Sequence, residues 1–403
     1  MESRTVDDLR RGRFGSSGRL VALTALLFIG ASTVRAAEIP ENLHREYLKG
    51  ATSVALPRDP VTIPLQGTDW YGHYRSPYVK VFVNGHGPYT FLFDTGSNTT
   101  IVSSKVARET SLAIVSAVPG HHRIAKAQEI DAGGVQMRDY YVVIADGDDL
   151  DGILGFNSFG KNYLTFDLKH RTLVVGSRPN VLPSAFWLPY TLDRHLPNVE
   201  LSIDGRSLPT LIDSGDDAYA WEGTSENLRG LLFDGTPVDA GTVHNGQTGT
   251  TSTLITTVDG TLELGPVYAH RPAVAINESL PLPDIGVDVI EQFVMEFDRV
   301  HRRVGFQPLF AGRQFVVPGE LTCGLGISFR QPVRHVKGVL DGSAPMKAGM
   351  QAGDVVNSID RRIAADVTYR QWDELIRTRA PITIAWMHAG LERSATFPVV
   401  ELK

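Results

Sequence analysis

The chain repeats itself, and that duplication limits the folds open to it more than any other feature. The segment YVKVFVNGHGPYTFLFDTGS alternates apolar and polar residues, turns at Asn84-Gly85 and runs through Phe91-Leu92-Phe93 to Asp94. NVELSIDGRSLPTLIDSGD does the same, turning at Asp204-Gly205 and passing through Leu211-Ile212 to Asp213. Period-two alternation around Asn-Gly or Asp-Gly predicts a β-hairpin in each copy. The copies also close alike: DGILGFNSFGKNYLTFDLKHRTLVV is echoed by PDIGVDVIEQFVMEFDRVHRRVGF, with Phe166-Asp167 answering Phe297-Asp298. Two homologous β-rich lobes follow from this pattern.

With 403 residues, 42% of them hydrophobic and 21% charged, the chain has the material for two or three cores. Its first 36 residues read as a secretory signal: Arg10, Arg11, Arg13 and Arg19 precede an apolar run over 20–29, and Val34-Arg35-Ala36 offers a small-residue exit with cleavage expected after Ala36. That run is far short of the roughly 20 residues needed to span a bilayer, so no membrane span is expected once the signal is removed. Cleavage would remove six Arg and three acidic residues and take the net charge from −6 to −9. An acidic chain without a basic block has no electrostatic footprint for nucleic acid or anionic lipid. With Cys323 as its single cysteine, the chain forms no internal disulfide even in the oxidising compartment that a signal implies.

The remaining organisation is read as an extended, Pro-punctuated lead-in over 37–76 that adds an edge strand, a first lobe over 77–185, a second over 186–312 and a third domain over 313–403. In the third domain, GSAPMKAGMQAGD precedes a helix in which Trp372, Leu375 and Ile376 share one face, and ITIAWM and SATFPVV flank a turn at His388-Ala389-Gly390.

A lone Asp-Thr-Gly-Ser proves little, but here it ends an apolar strand and a near copy does the same one lobe later. On these residues, 76–310 resemble the aspartic peptidases, both the retropepsin and the pepsin branches. The resemblance implies a mostly β, bilobal acid-protease fold of β-barrels in which Asp94 and Asp213 meet at the lobe interface. Two carboxylates that close together share one proton, so one serves as base toward a water and the other as acid toward the scissile carbonyl. This chemistry needs no metal and no cofactor. Gly96 and Gly215 suit tight turns with close backbone approach, and the hydroxyls of Thr95 and Ser214 are those the family uses to join its two turns. Ser97 fits the family's fourth position, where a hydroxyl donates to the catalytic carboxylate. Asp216 departs from it, because an ionised carboxylate donates nothing and adds a third negative charge beside the pair. Ile153-Leu154-Gly155 and Ile285-Gly286-Val287 resemble the family's element beneath the catalytic turns. Flaps are expected in the Gly-rich middles, 120–134 and 241–260, and Tyr140 and Tyr141 are read as strand residues ahead of a flap tyrosine.

Residues 320–403 resemble a bacterial-type PDZ domain, an α+β module, with Gly324, Leu325, Gly326 and Ile327 at its carboxylate-binding loop. That resemblance implies capture of protein C-termini by strand addition beside 327–329; docking against the peptidase lobes is the other reading, and Trp372 is assigned to the core ahead of the groove. A serine nucleophile at Ser214 lacks the flanking glycines of that chemistry, and His121-His122 lacks zinc-ligand spacing. The sequons at Asn98 and Asn277 are read as coincidental. The function expected is an exported, periplasmic or secreted, aspartic endopeptidase acting on peptide or protein substrates, and the alternative is a catalytically silent peptide-binding protein of the same fold.

Overall fold

The computed structural model describes residues 50–402 except 67–75, 118–121, 147–149, 246–248, 281, 330–332 and 341, together with Leu48 and two short pieces, Ser3–Thr5 and Leu23–Thr24. Those pieces lie along the strand Leu232–Asn245. Most of the segment read as a signal, and residues 37–47 of the lead-in, fall outside the described residues. The protein is mostly β and contains a closed β-barrel.

Both sequence hairpins form where the alternation places them. Tyr78–Val83 and His86–Asp94 pair around Asn84 and Gly85, at φ 49° and 78°, and Leu196–Ile203 and Arg206–Ile212 pair around Asp204 and Gly205, at φ 49° and 80°. Two successive positive φ values give the turn twist that matches paired strands, which is why Asn or Asp is followed by Gly.

In the first lobe, the His86–Asp94 strand continues in parallel pairing to Gly152–Gly155, which runs antiparallel to Ile101–Ser103. From there the barrel passes to Val135–Ala145 and Arg123–Ala132 and closes on Tyr78–Val83. The second lobe repeats the order with the same parallel pairs: Arg206–Ile212 with Asp284–Ile285, and Trp221–Gly223 with Ala273–Ile276. Gly249–Val258 follows, and Thr261–Leu264 leads back to Leu196–Ile203.

The closing strands join the lobes. Tyr163–Asp167 pairs antiparallel with Phe293–Asp298, matching Leu164 to Phe297 and Phe166 to Met295. Thr172–Gly176 and Val61–Pro64 extend this sheet on one side, and Arg303–Pro308 and Phe186–Asp193 extend it on the other. Both edge strands thus precede the barrel of their own lobe. Beneath the lobes, Phe93, Phe156, Phe159, Phe166, Phe293, Phe297 and Phe306 interlock, with Phe93 and Phe166 edge-to-face at 5.4 Å and Phe156 and Phe297 at 5.2 Å. One continuous apolar core therefore fixes the lobes against each other.

The segment 120–134, expected to be a flap, is mostly the core strand Arg123–Ala132, in which Ala125, Ala127, Ile130 and Ala132 are fully buried. Gly133 then turns at φ 60° against Ile63 of the lead-in, whose side chain would stand 3.0 Å from a Cβ placed there. The glycines there serve a tight turn in the barrel. In the second lobe, Leu232–Asn245 and Gly249–Val258 form a long hairpin whose tip, 246–248, lies outside the described residues.

The third domain has its own core of Leu325, Ile327, Val336, Val356, Ile359, Trp372, Ile376, Ile384, Trp386 and Phe397. Its main sheet starts at the edge strand Leu325–Ile327 and runs through Arg334–Val339, Val355–Ile359 and Ile382–His388 to Leu391–Phe397. The helix Tyr369–Arg377 starts with a reciprocal capping box between Thr368 and Gln371. Trp372 is 7% exposed and faces Phe329 at 6.3 Å, so the helix face singled out by its spacing packs inward. Glu320–Thr322 pairs with Val400–Leu402, and Leu402 and Leu340 rest on Ala218, Tyr219, Ile255 and Ala275 of the second lobe.

Candidate active site

Each catalytic-type turn begins where a buried strand runs out. Phe91, Leu92 and Phe93 carry the chain through the first barrel to Asp94, and Leu211 and Ile212 carry it to Asp213; both carboxylates are 1% exposed. The two side chains are within hydrogen-bonding reach of each other. Gly96 N–H donates to Asp94 Oδ1 at 2.7 Å and Gly215 N–H to Asp213 Oδ1 at 2.7 Å, so each turn orients its own carboxylate.

The glycines have a second, crossed purpose. A Cβ on Gly96 would stand 2.2 Å from Asp213 Oδ2, and one on Gly215 would stand 2.6 Å from Asp94 Cγ. Only a residue without a side chain lets the opposite carboxylate sit against the backbone of the turn. Thr95 and Ser214 join the turns directly through four buried hydrogen bonds.

Burial and the neighbouring Asp213 charge push the Asp94 carboxyl well above the usual carboxylate range. Burial raises Asp213 too, but a hydrogen bond from Asp94 and the N–H groups of Gly215 and Asp216 hold its charge. The pair therefore titrates as one unit and shares one proton between its two carboxylates.

Two expectations about the fourth turn position change. Ser97 donates its hydroxyl to the Thr99 carbonyl at 2.8 Å and not to Asp94, because its short side chain is folded back along its own turn. Asp216 is neither directed at the pair nor solvated. Fully buried, it accepts from Ala218 N–H at 2.9 Å and Tyr219 N–H at 3.4 Å, and it meets Asp213 through its backbone N–H.

The element beneath the second turn also shifts by one residue. Leu154 pairs with Phe93 and Ile285 with Ile212, each partner being the residue just before the carboxylate. The counterpart of Ile153-Leu154-Gly155 is thus Asp284-Ile285-Gly286, one place earlier than Ile285-Gly286-Val287. Phe156 N–H to Ser97 O and Val287 N–H to Asp216 O, both 2.8 Å, confirm the register. The matched pairs Ile153–Ile101 and Asp284–Glu222 then place Glu222 where the first lobe has Ile101.

Sequence reasoning passed over Glu222 and Asp284. The signal was present: each is a lone acid in an apolar strand, and aligning the repeats by strand register sets both against isoleucines. Burial pushes Glu222 up to about 7, and burial with the charges of Glu222, Asp213 and Asp94 pushes Asp284 well up. Asp216 is raised likewise by burial and by Glu222 and Asp284, so this group takes up protons before it carries three charges.

Tyr140 is fully buried, its hydroxyl bonded to Thr100 at 2.7 Å, Ser158 at 2.8 Å and Asn157 at 3.0 Å, which makes it a barrel residue. Tyr141 is half-buried, with Lys126 over its ring at 5.7 Å. In the third domain, Gly324 packs against Ser343 at φ 84° and its N–H donates to Thr322 Oγ1 at 2.9 Å. That amide is already engaged, whereas Leu325, Gly326 and Ile327 lie on an edge strand paired on one side. His121 lies outside the described residues.

None of the curated proteins compared with the chain matches it. Residues 79–158, which span most of the first barrel and its Asp94 turn, match a family model described as aspartyl protease.

Proposed function

We propose that this chain is an exported aspartic endopeptidase that cleaves peptide bonds with a water activated between Asp94 and Asp213. One observation carries the reading: duplicated lobes deliver two buried carboxylates to one point, each oriented by its own glycine amide at 2.7 Å. The ionised carboxylate takes a proton from the water as it attacks the scissile carbonyl, and the protonated one donates its proton toward the carbonyl oxygen as charge develops there. On collapse of the resulting diol the C–N bond breaks, the proton taken from the water passes to the leaving amine, and a diol hydroxyl returns a proton to the other carboxylate, which restores the pair. Low dielectric around the pair strengthens both interactions.

The third domain fits a PDZ-like module for extended peptides. Support comes from the open edge of Leu325–Ile327, to which a peptide strand could add, with the helix Tyr369–Arg377 alongside in the same core. The module touches the second lobe through Leu402. Gly326→Val is expected to weaken binding of C-terminal peptides without changing hydrolysis of a short substrate.

Cleavage of a random peptide library from pH 3 to 8, with Asp94→Asn beside the wild type, tests the assignment. Cleavage by the wild type alone supports it. A wild type that binds peptides at every pH and cleaves none would instead establish the silent binding protein.

A further inference from the structure

Asp216, Glu222 and Asp284 each present a carboxylate oxygen within 4.8 Å of the others, and all three are fully buried. Their hydrogen bonds leave much unused. Asp216 Oδ1 accepts from two backbone amides, Glu222 Oε2 accepts from Asn277 Nδ2 at 2.8 Å, and Asp216 and Glu222 are within hydrogen-bonding reach of each other, whereas both oxygens of Asp284 find no donor among the described residues. Asp284 is thus an entirely unpartnered buried carboxylate aimed into the group. The charges acting on the three are those of Glu222, Asp284, Asp213 and Asp94, all negative.

The first lobe shows what this position needs for folding alone. There the equivalents are Ser97, Ile101 and Ile153, and the two isoleucines pack with Tyr78, Leu92, Ile124 and Val143 in an apolar cluster. Two isoleucines suffice to build the barrel, so the two acids opposite them are not a requirement of the fold. Three carboxylates in one buried place require either protons or a cation among them, and a cation is what allows all three to ionise.

We propose that Asp216, Glu222 and Asp284 form a cation-binding site beside the catalytic pair. Oxygens within 4.8 Å of one another match those around one ion held at roughly 2.3–2.6 Å, or around an ammonium or guanidinium group at about 2.8 Å. Because Asp284 pairs with Leu211, two residues before Asp213, and Asp216 closes the Asp213 turn, the site adjoins the reaction centre. Ile101 and Ile153 stand in the first lobe where Glu222 and Asp284 stand in the second, so the side chains flanking a scissile bond held on the pair would meet an apolar lobe on one side and an acidic one on the other. The cation is therefore either a lysine or arginine side chain of the substrate or a free divalent ion. The substrate arm rests on the peptidase reading, and the metal arm does not.

Two measurements on the full mature chain decide the matter. Library cleavage is expected to favour Lys or Arg on one side of the bond by about 10- to 100-fold in kcat/KM, the range for a hydrogen bond to a charged group, and Asp284→Asn or Glu222→Gln should abolish the preference. Thermal unfolding at pH 7 in calcium, magnesium or zinc chloride against EDTA reads the site without activity: a rise in Tm in the wild type, lost in Asp284→Asn, assigns the metal source. A wild type that cleaves without basic preference and ignores all three ions overturns the site and leaves the peptidase reading standing. One that cleaves nothing yet responds to an ion keeps the site and removes the peptidase reading. Asp284→Asn preserves volume, and Glu222→Gln on a separate strand covers a failure of the first variant to fold.

Discussion

Thr95 and Ser214 hold each other's turns. Thr95 Oγ1 donates to the Ile212 carbonyl at 2.6 Å and accepts from Ser214 N–H at 3.0 Å, while Ser214 Oγ donates to the Phe93 carbonyl at 2.9 Å and accepts from Thr95 N–H at 3.0 Å. All four bonds are buried, so no water replaces one that is lost.

Thr95→Val should consequently leave Ser214 N–H and the Ile212 carbonyl without partners, at about 1–3 kcal/mol each. Urea unfolding of Thr95→Val, Ser214→Ala and the double variant is expected to show a strongly non-additive pair. Additive losses would mean that the two hydroxyls act independently.

Gly96→Ala tests the crossed contact of turn and carboxylate. Its methyl would stand 2.2 Å from Asp213 Oδ2, so the pair must separate. We expect kcat to fall by at least about 100-fold, the lower range for losing positioned acid–base chemistry.

Asp94→Asn and Asp213→Asn should each lower kcat/KM by about 10²–10⁴-fold while far-ultraviolet circular dichroism stays unchanged. The wild-type pH profile should be bell-shaped. Falling pH protonates both carboxylates of the pair and removes the base; rising pH strips the shared proton, which burial and the neighbouring charge hold on well above the usual carboxylate range, and removes the acid. Either variant retaining wild-type turnover would sink the assignment.

Glu222 links stability to pH. Its folded carboxyl is pushed up to about 7 by burial, from an ordinary value of 4.5. The unfolded chain binds fewer protons across that window, so this contribution is fully present below pH 4.5 and is lost as pH rises through about 7. A shift of this size corresponds to roughly 3 kcal/mol. Differential scanning calorimetry in EDTA should show Tm falling between pH 5 and 8, with Glu222→Gln flattening the slope; an unchanged slope would remove Glu222 from the cause.

How much of this was legible in the sequence follows from the range of the forces involved. Hairpin turns at Asn84-Gly85 and Asp204-Gly205, the apolar strands ending at Asp94 and Asp213, and the Trp372 face of the last helix depend on local dihedral preference and side-chain periodicity, which one chain displays directly. The duplication paired Asp94 with Asp213 because equal sequences build equal lobes. Tertiary structure alone decided where side chains point and which strands meet. Ser97 and Asp216 occupy matching turns, and each bonds the loop that follows its own turn rather than a catalytic carboxylate, a choice made by surrounding packing. The strand containing residues 123–132 is Gly-flanked but lies in the core, because barrel closure needs it there. Asp284 and Glu222 are far apart in sequence and join only when antiparallel pairing brings their strands together, since the charge–charge and desolvation effects that define the cluster act through space.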